Sequence, residues 1–343
     1  MFPLLLATAL LIAAAPCAAE ALLPEPLPEP LPEYLADTGY GRLEILPFSP
    51  QYPLWTDGAD KRRWMHLPEG RFIDASRPDA WEFPPGTRLW KEFGFAGRPV
   101  ETRYIERLPD GRWRYASYLW EADGRSARLA PERGVTLAVQ GAPGGRYTVP
   151  GRLDCTACHE GAPVPVLGAG ALQLSPDRDP LAPHAVPARP GDADLATLTA
   201  RGWLRGLPAA LLEQPPRIAA QSPAERAAFG YLHANCGHCH NDHGAPVSLV
   251  LAQSAADPAG SAARVRAALL EGPDRWRPAG AGQDARLVVP GQAAASLLLA
   301  RLQTRDPLRQ MPPLGTHHAD AEGVAAVTSW INHPLLMRKE PQP

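Results

Sequence analysis

The stretch SPAERAAFGYLHANCGHCH, residues 222–240, decides how the C-terminal half of the chain is read. Ser222 is placed to accept as an N-cap. Pro223 supplies a preset first helical residue, and Glu225 completes a capping box three residues after Ser222. A helix over Ala224–Asn235 is therefore expected to run straight into Cys236-Gly237-His238-Cys239-His240. The same C-x-x-C-H pattern occurs once more, as CTACH at 155–159, preceded by RYTVPGRLD (146–154), which reads as extended rather than helical.

Two cysteines three apart lie on one face of a helical turn, and a histidine directly after the second projects from the same turn. That arrangement suits a c-type haem, held by two thioethers and a proximal imidazole. Cys155, Cys158, Cys236 and Cys239 are thus candidate attachment residues, and His159 and His240 candidate iron ligands. Two disulfides would not call for a histidine after each pair. A zinc site would have to join clusters 81 residues apart, each already carrying its own histidine. Two covalently bound haem c groups are the expected cofactors.

The fifth cysteine, Cys17, follows an apolar run at 4–15 and sits among Ala15, Ala18 and Ala19. This reads as a secretory signal peptide over 1–19, with a lipoprotein anchor at Cys17 as the alternative. The run is short for a membrane span. Export of the Sec type to the periplasm agrees with covalent haem, and no transmembrane segment is expected in the mature chain. Residues 20–38 contain a Pro-Glu repeat, LLPEPLPEPLPE (22–33), with the composition of a semi-rigid linker.

The 343 residues carry 34 Lys and Arg against 36 Asp and Glu, and all but Lys61, Lys91 and Lys339 of the cations are arginines. A net charge of −2 excludes a polybasic nucleic-acid or membrane surface. With 41 prolines and 30 glycines the chain is not an all-helical bundle. Its 45% hydrophobic residues still indicate a globular protein.

Residues 39–150 read as β-rich, punctuated by Pro84-Pro85-Gly86, Asp110-Gly111, Asp123-Gly124 and Gly144-Gly145. Residues 100–107 and 112–120 read as a hairpin, with Trp113, Tyr115, Ser117 and Leu119 on one face. A β-sandwich or jelly-roll-like domain is expected. Its many tryptophans could fill the core or form a binding surface. Asp57 and Asp60 are read as turn acids, with a calcium loop as the weaker alternative. Residues 151–221 form a loop-rich first haem segment, with helix signals near 192–205. Beyond 222, helices are expected near 261–271, 294–303 and 319–332. The fold class is α+β multidomain, with 222–334 as an all-α unit and 335–343 as a tail.

Helix 224–235 with its CxxCH, the loop Met311-Pro312-Pro313 and the helix 319–332 with Trp330 and Ile331 together resemble a class I cytochrome c domain. The resemblance implies Cys236 and Cys239 as thioether donors, His240 as proximal ligand and Met311 as distal ligand, a pairing that raises a haem's potential. For the first haem the distal ligand is open among His184, His233, His243, Met65 and His66, or the iron is five-coordinate. His238, inside the second motif, is expected to be exposed.

Over most of its length the chain also resembles bacterial di-haem c-type cytochromes with an N-terminal β domain. The segments that carry this are YPLWTDGADKRRW (52–64), WEFPPGT (81–87), YTVPGRLDCTACH (147–159), VLGAGALQLS (166–175), YLHANCGHCH (231–240), RLVVPG (286–291) and MPPLGT (311–316). The resemblance implies a periplasmic two-haem protein without specifying a reaction. Three functions follow as expectations. The first is electron transfer between periplasmic redox donor and acceptor proteins. The second is a di-haem peroxidase or oxidase with an open first haem. The third is a β-domain binding module with an attached redox unit.

Overall fold

Alternating apolar and polar residues between glycine turns make the N-terminal part a sheet. In a computed structural model, residues 30–244, 249–271 and 285–337 are described. The segment read as a signal peptide, with Cys17, most of the Pro-Glu stretch and the last six tail residues lie outside them. From Pro32 onward the chain forms one compact unit.

Among the described residues ten strands occur, β1 (Leu46–Pro47), β2 (Asp60–His66), β3 (Ile73–Asp74), β4 (Arg88–Phe95), β5 (Arg98–Arg107), β6 (Trp113–Trp120), β7 (Ala127–Leu129), β8 (Val135–Ala138), β9 (Arg146–Val149) and β10 (Leu204–Arg205). The helices are α1 (Arg152–His159), α2 (Leu195–Ala200), α3 (Ala210–Glu213), α4 (Pro223–Asn235), α5 (Pro258–Leu270), α6 (Leu297–Gln303), α7 (Ala321–Ile331) and α8 (Pro334–Met337). The architecture is mixed, with a large antiparallel sheet in the N-terminal part and helices toward the C-terminus. No helix among the described residues is long and apolar enough to cross a membrane.

The main sheet has the order β1-β2-β4-β5-β6-β7, with every neighbouring pair antiparallel. The β5–β6 hairpin forms where the sequence places it, turned by Asp110-Gly111, whose Gly111 amide donates to the Leu108 carbonyl at 2.9 Å. Gly111 has φ +85°, a conformation that glycine adopts without a Cβ clash.

The two faces of this sheet differ. On the outer face Trp64, Trp90 and Tyr104 align across β2, β4 and β5. Tyr40 packs on Trp64, Trp90 and Trp120 with ring centroids 5.4, 6.1 and 6.4 Å away. Trp90 is 1% exposed and donates its Nε1–H to Thr38 Oγ1 at 2.9 Å. These aromatics bind each other, as core-filling tryptophans do.

The inner face carries three cross-strand rows: Lys61-Phe93-Glu101-Leu119, Arg63-Lys91-Arg103-Ser117 and Met65-Leu89-Ile105-Tyr115. The layer over it is not a second full sheet. The short β8–β9 hairpin covers one end, burying Tyr147 and Val149 against Phe93 and Phe95. The rest faces the segment that begins at α1 and the cavity described below. A sandwich expected from strand patterning is thus realised as one large sheet with a mixed second layer.

Helix α1 begins earlier than its extended flank suggested. β9 ends at Val149, and Asp154 Oδ2 then accepts the Gly151 amide at 2.9 Å, fixing a helical turn from Arg152. Residues 160–194 contain neither helix nor strand. Helix α4 starts as read: Glu225 N–H donates to Ser222 Oγ at 3.1 Å. Glu225 reaches back one residue beyond the cap, accepting from the Gln221 amide, and is also gripped by Arg266 Nε (2.8 Å) and Nη2 (3.0 Å).

Helices α4 and α7 cross closely. A Cβ on Gly323 would lie 2.1 Å from Tyr231 Cζ, so the crossing requires glycine there. Phe229 and Trp330 meet edge to face at 5.2 Å. One buried apolar cluster runs from Leu46 through Val166 and Leu198 to Trp330 and Ile331, joining all three parts of the chain.

Candidate cofactor cavity

The first CxxCH occupies the C-terminal end of α1 and packs against β6, with the His159 ring 5.2 Å from that of Tyr115. His159 Nδ1 lies 2.6 Å from the Pro165 carbonyl oxygen, which fixes the proton on Nδ1 and leaves Nε2 with its lone pair. This is the arrangement a metal-ligating imidazole takes.

The second CxxCH begins at the C-cap of α4 and continues as a tight turn, with Cys239 N–H donating to Cys236 O at 3.0 Å and His240 N–H to the same oxygen at 2.8 Å. His240 Nδ1 is buried without a hydrogen bond of good geometry, and the Leu249 carbonyl is the backbone acceptor acting on it. Asn241 stitches the two motifs together. Its Nδ2 donates to Gly161 O (3.0 Å), Gly237 O (2.9 Å) and His238 O (2.9 Å).

Both motifs wall one cavity of about 1300 Å³, its open mouth included. Ala157, Cys158 and His159 enter it from the first motif, and His238 and Cys239 from the second. The sheet's inner face contributes Arg63, Leu89, Lys91, Arg103 and Ile105, and the loop after Met311 contributes Pro312–Thr316. A second cavity of about 1220 Å³ lies beside His233, His238 and His243.

His238 is therefore not exposed, as the sequence had suggested. It lines both cavities and burial lowers its pKa to about 4, with Nδ1 lacking a partner. Its place between Gly237 and Cys239 gave no signal that it would be half-buried. Of the five residues considered as distal ligands for the first motif, none lines the first cavity. Met65 is fully buried in the apolar cluster. His66 Nδ1 is bonded to Glu44 O at 2.8 Å. His184 is held by Asp320 Oδ1 at 2.7 Å and stacks on Trp55. His233 Nδ1 accepts the Gln253 amide at 3.0 Å, and His243 lines only the second cavity.

Met311 lies in a loop fastened to α6. Its amide donates to Arg301 O at 3.0 Å, and Arg305 Nη1 donates to Thr316 Oγ1 at 3.2 Å. Burial, and to a smaller degree the Arg301 charge, lowers the His240 pKa, and neither His240 nor Met311 lines the first cavity. Asp57 accepts the amides of His317 (2.9 Å) and His318 (2.9 Å), a structural task that accounts for its burial. Asp60 is an exposed residue at the start of β2.

The residues fit covalent haem on their chemistry. The four motif cysteines are free thiols, and burial holds each above the usual thiol range, Cys158 at about 11 and Cys236 at about 12. A redox dithiol would need the opposite shift. His159 is pushed to about 4 by burial and so is neutral at pH 7, as a ligand must be. Among the described residues no three His, Cys, Asp or Glu side chains are grouped to hold a bare metal ion. Comparison with family models, curated proteins and solved structures finds no match for this chain.

Proposed function

We propose that this is an exported di-haem c-type cytochrome that moves electrons through two covalently attached haems. The observation that carries the reading is the shared cavity: two CxxCH motifs, 81 residues apart in sequence, open on it side by side. Cys155 and Cys158 would hold one haem with His159 as proximal ligand. Cys236 and Cys239 would hold the other, with His240 and Met311 on its iron and residues 222–334 folded as a class I cytochrome c-like domain. Each haem supplies a one-electron carrier. The chain supplies burial, a fixed imidazole tautomer and adjacency, so electrons can pass between the groups without a further protein. The apolar run at 4–15 supports export to the periplasm, with redox donor and acceptor proteins there.

A second reading, a di-haem peroxidase or oxidase, is favoured by one observation: none of the five distal candidates reaches the first cavity. The binding-module reading is weakened, because the sheet's inner face forms the cavity wall and its outer aromatics pack on one another.

The test is to count haems by pyridine haemochrome and to titrate the anaerobically reduced protein with carbon monoxide. Two haems with no carbon monoxide bound support electron transfer between closed irons. Two haems with one rapidly binding carbon monoxide put the peroxidase reading first. A chain matured with the c-type haem machinery that carries no haem refutes both.

A further inference from the structure

The sheet's inner face gathers cations that outnumber the carboxylates hydrogen-bonded to them. Arg63, Lys91 and Arg103 stand opposite one another on β2, β4 and β5. Side chains directly opposite in adjacent antiparallel strands have Cβ atoms about 5 Å apart, and like charges there repel. One carboxylate is buried beside the row, Glu101, and it is fully committed. It accepts from Arg103 Nε (2.8 Å) and Nη2 (3.2 Å), Ser117 Oγ (2.7 Å) and Tyr147 Oη (2.6 Å). Arg63 is 7% exposed; the Asp192 carboxylate acts on its charge, but no hydrogen bond or ion pair to its guanidinium forms among the described residues. Lys91 likewise has none, and its Nζ lies 4.9 Å above the Phe93 ring. Both side chains line the cavity that holds Cys158 and His159.

Arginine does not shed its proton in a protein. A buried guanidinium without a hydrogen-bonded counter-ion is costly unless an anion or solvent in the cavity meets it, and Asp192 acts on Arg63 without a hydrogen bond. The group that the first motif would attach brings two carboxylates on one edge. We infer that Arg63 and Lys91, adjacent on β2 and β4, bind the propionate carboxylates of the haem carried by Cys155, Cys158 and His159. This rests on the di-haem reading and adds the haem's orientation, with its propionate edge toward the sheet. The large sheet is then part of the redox site, because its cations lie beside the first haem and set its charge environment. Lys91 is also one of only three lysines in a chain whose other cations are arginines.

The experiment uses the mature holoprotein with haem counted by pyridine haemochrome. Lys91→Met and Arg63→Met keep most side-chain volume and remove the charge, whereas Lys91→Arg and Arg63→Lys keep it. The readouts are the resonance Raman propionate bending bands and the midpoint potentials from spectroelectrochemistry. With two haems retained, each neutral variant is expected to shift the propionate bands. Each should also lower one midpoint by a tenfold change in the reduction equilibrium, about 59 mV for one electron. The charge-keeping variants should recover most of that potential. Two haems with unchanged bands and potentials in both neutral variants would overturn the proposal while leaving the di-haem reading intact. A wild-type chain without haem would overturn both.

Discussion

Replacing Gly230 by alanine sets two effects of opposite sign against each other. Gly230 lies in α4, and in a helix interior the exchange gains about 1 kcal/mol of intrinsic propensity. Here the added Cβ would fall 2.0 Å from Tyr52 Cε1, 2.2 Å from Cδ1 and 2.6 Å from Cζ. The ring cannot swing aside freely. Tyr52 is 2% exposed, its amide donates to Gln173 Oε1 at 3.0 Å, and its hydroxyl donates to Asp179 Oδ2 at 3.3 Å. An overlap this deep lies at the upper end of overpacking costs, about 3 kcal/mol. The ceiling is expulsion of the ring, some 150–250 Å² of buried surface, or about 4–6 kcal/mol at 25 cal/mol per Å². Subtracting the propensity gain leaves a loss of about 2–5 kcal/mol. At about 2 °C or more per kcal/mol for a protein of this size, Tm should fall by at least about 4 °C. Thermal unfolding of the holoprotein followed by far-ultraviolet circular dichroism measures this. The double variant with Tyr52→Ala should lose less than the sum of the two single losses. A Gly230→Ala protein as stable as wild type, or more so, would refute the packing of the second motif's helix against the loop before β2.

Three further outcomes follow from particular contacts. Glu225→Ala leaves Arg266 without its buried partner and should cost about 3–5 kcal/mol in chemical denaturation; a loss under 1 kcal/mol would show that the pair carries little. Burial lowers the His233 pKa to about 4, below its unfolded value of about 6.5. As pH falls from 6.5 to 4 the unfolded chain takes up a proton that the folded chain refuses, so stability declines across that window by on the order of 3 kcal/mol. His233→Gln should flatten the decline, and an unchanged pH profile would contradict it. If the di-haem proposal holds, Met311→Ala should open the second iron, giving a high-spin spectrum and new carbon monoxide binding; a spectrum that stays low-spin would assign the distal position to another residue.

Much of the local structure was legible because its causes are local. The Ser222 cap, Pro223 and the apolar spacing fixed α4 to within a residue or two, and Asp110-Gly111 fixed the β5–β6 turn. The alternation of Trp113, Tyr115, Ser117 and Leu119 placed one face of β6 correctly. What escaped the sequence depends on pairing between distant segments. Arg63, Lys91 and Arg103 become one row only through the registers of β2, β4 and β5. His238 is half-buried because α1 and the loop after it close over the second motif, through contacts such as Asn241 to Gly161. The expected sandwich-like domain contains one large antiparallel sheet with a short hairpin over one end, because strand patterning shows that a face is covered and is silent on whether a sheet or a cavity wall covers it. Spacing alone singled out the motif residues, and it gave no sign that Cys158 and His159 would line one cavity with Cys239, or that Cys155, Cys236 and His240 would stand outside its lining.

The most direct test of the account is the intact mass of the mature protein after expression with the c-type haem maturation machinery, for wild type and two variants. The account predicts a polypeptide carrying the mass of two haems. Cys155→Ala/Cys158→Ala and Cys236→Ala/Cys239→Ala should each lose one haem. A wild-type mass equal to that of the bare polypeptide would contradict it.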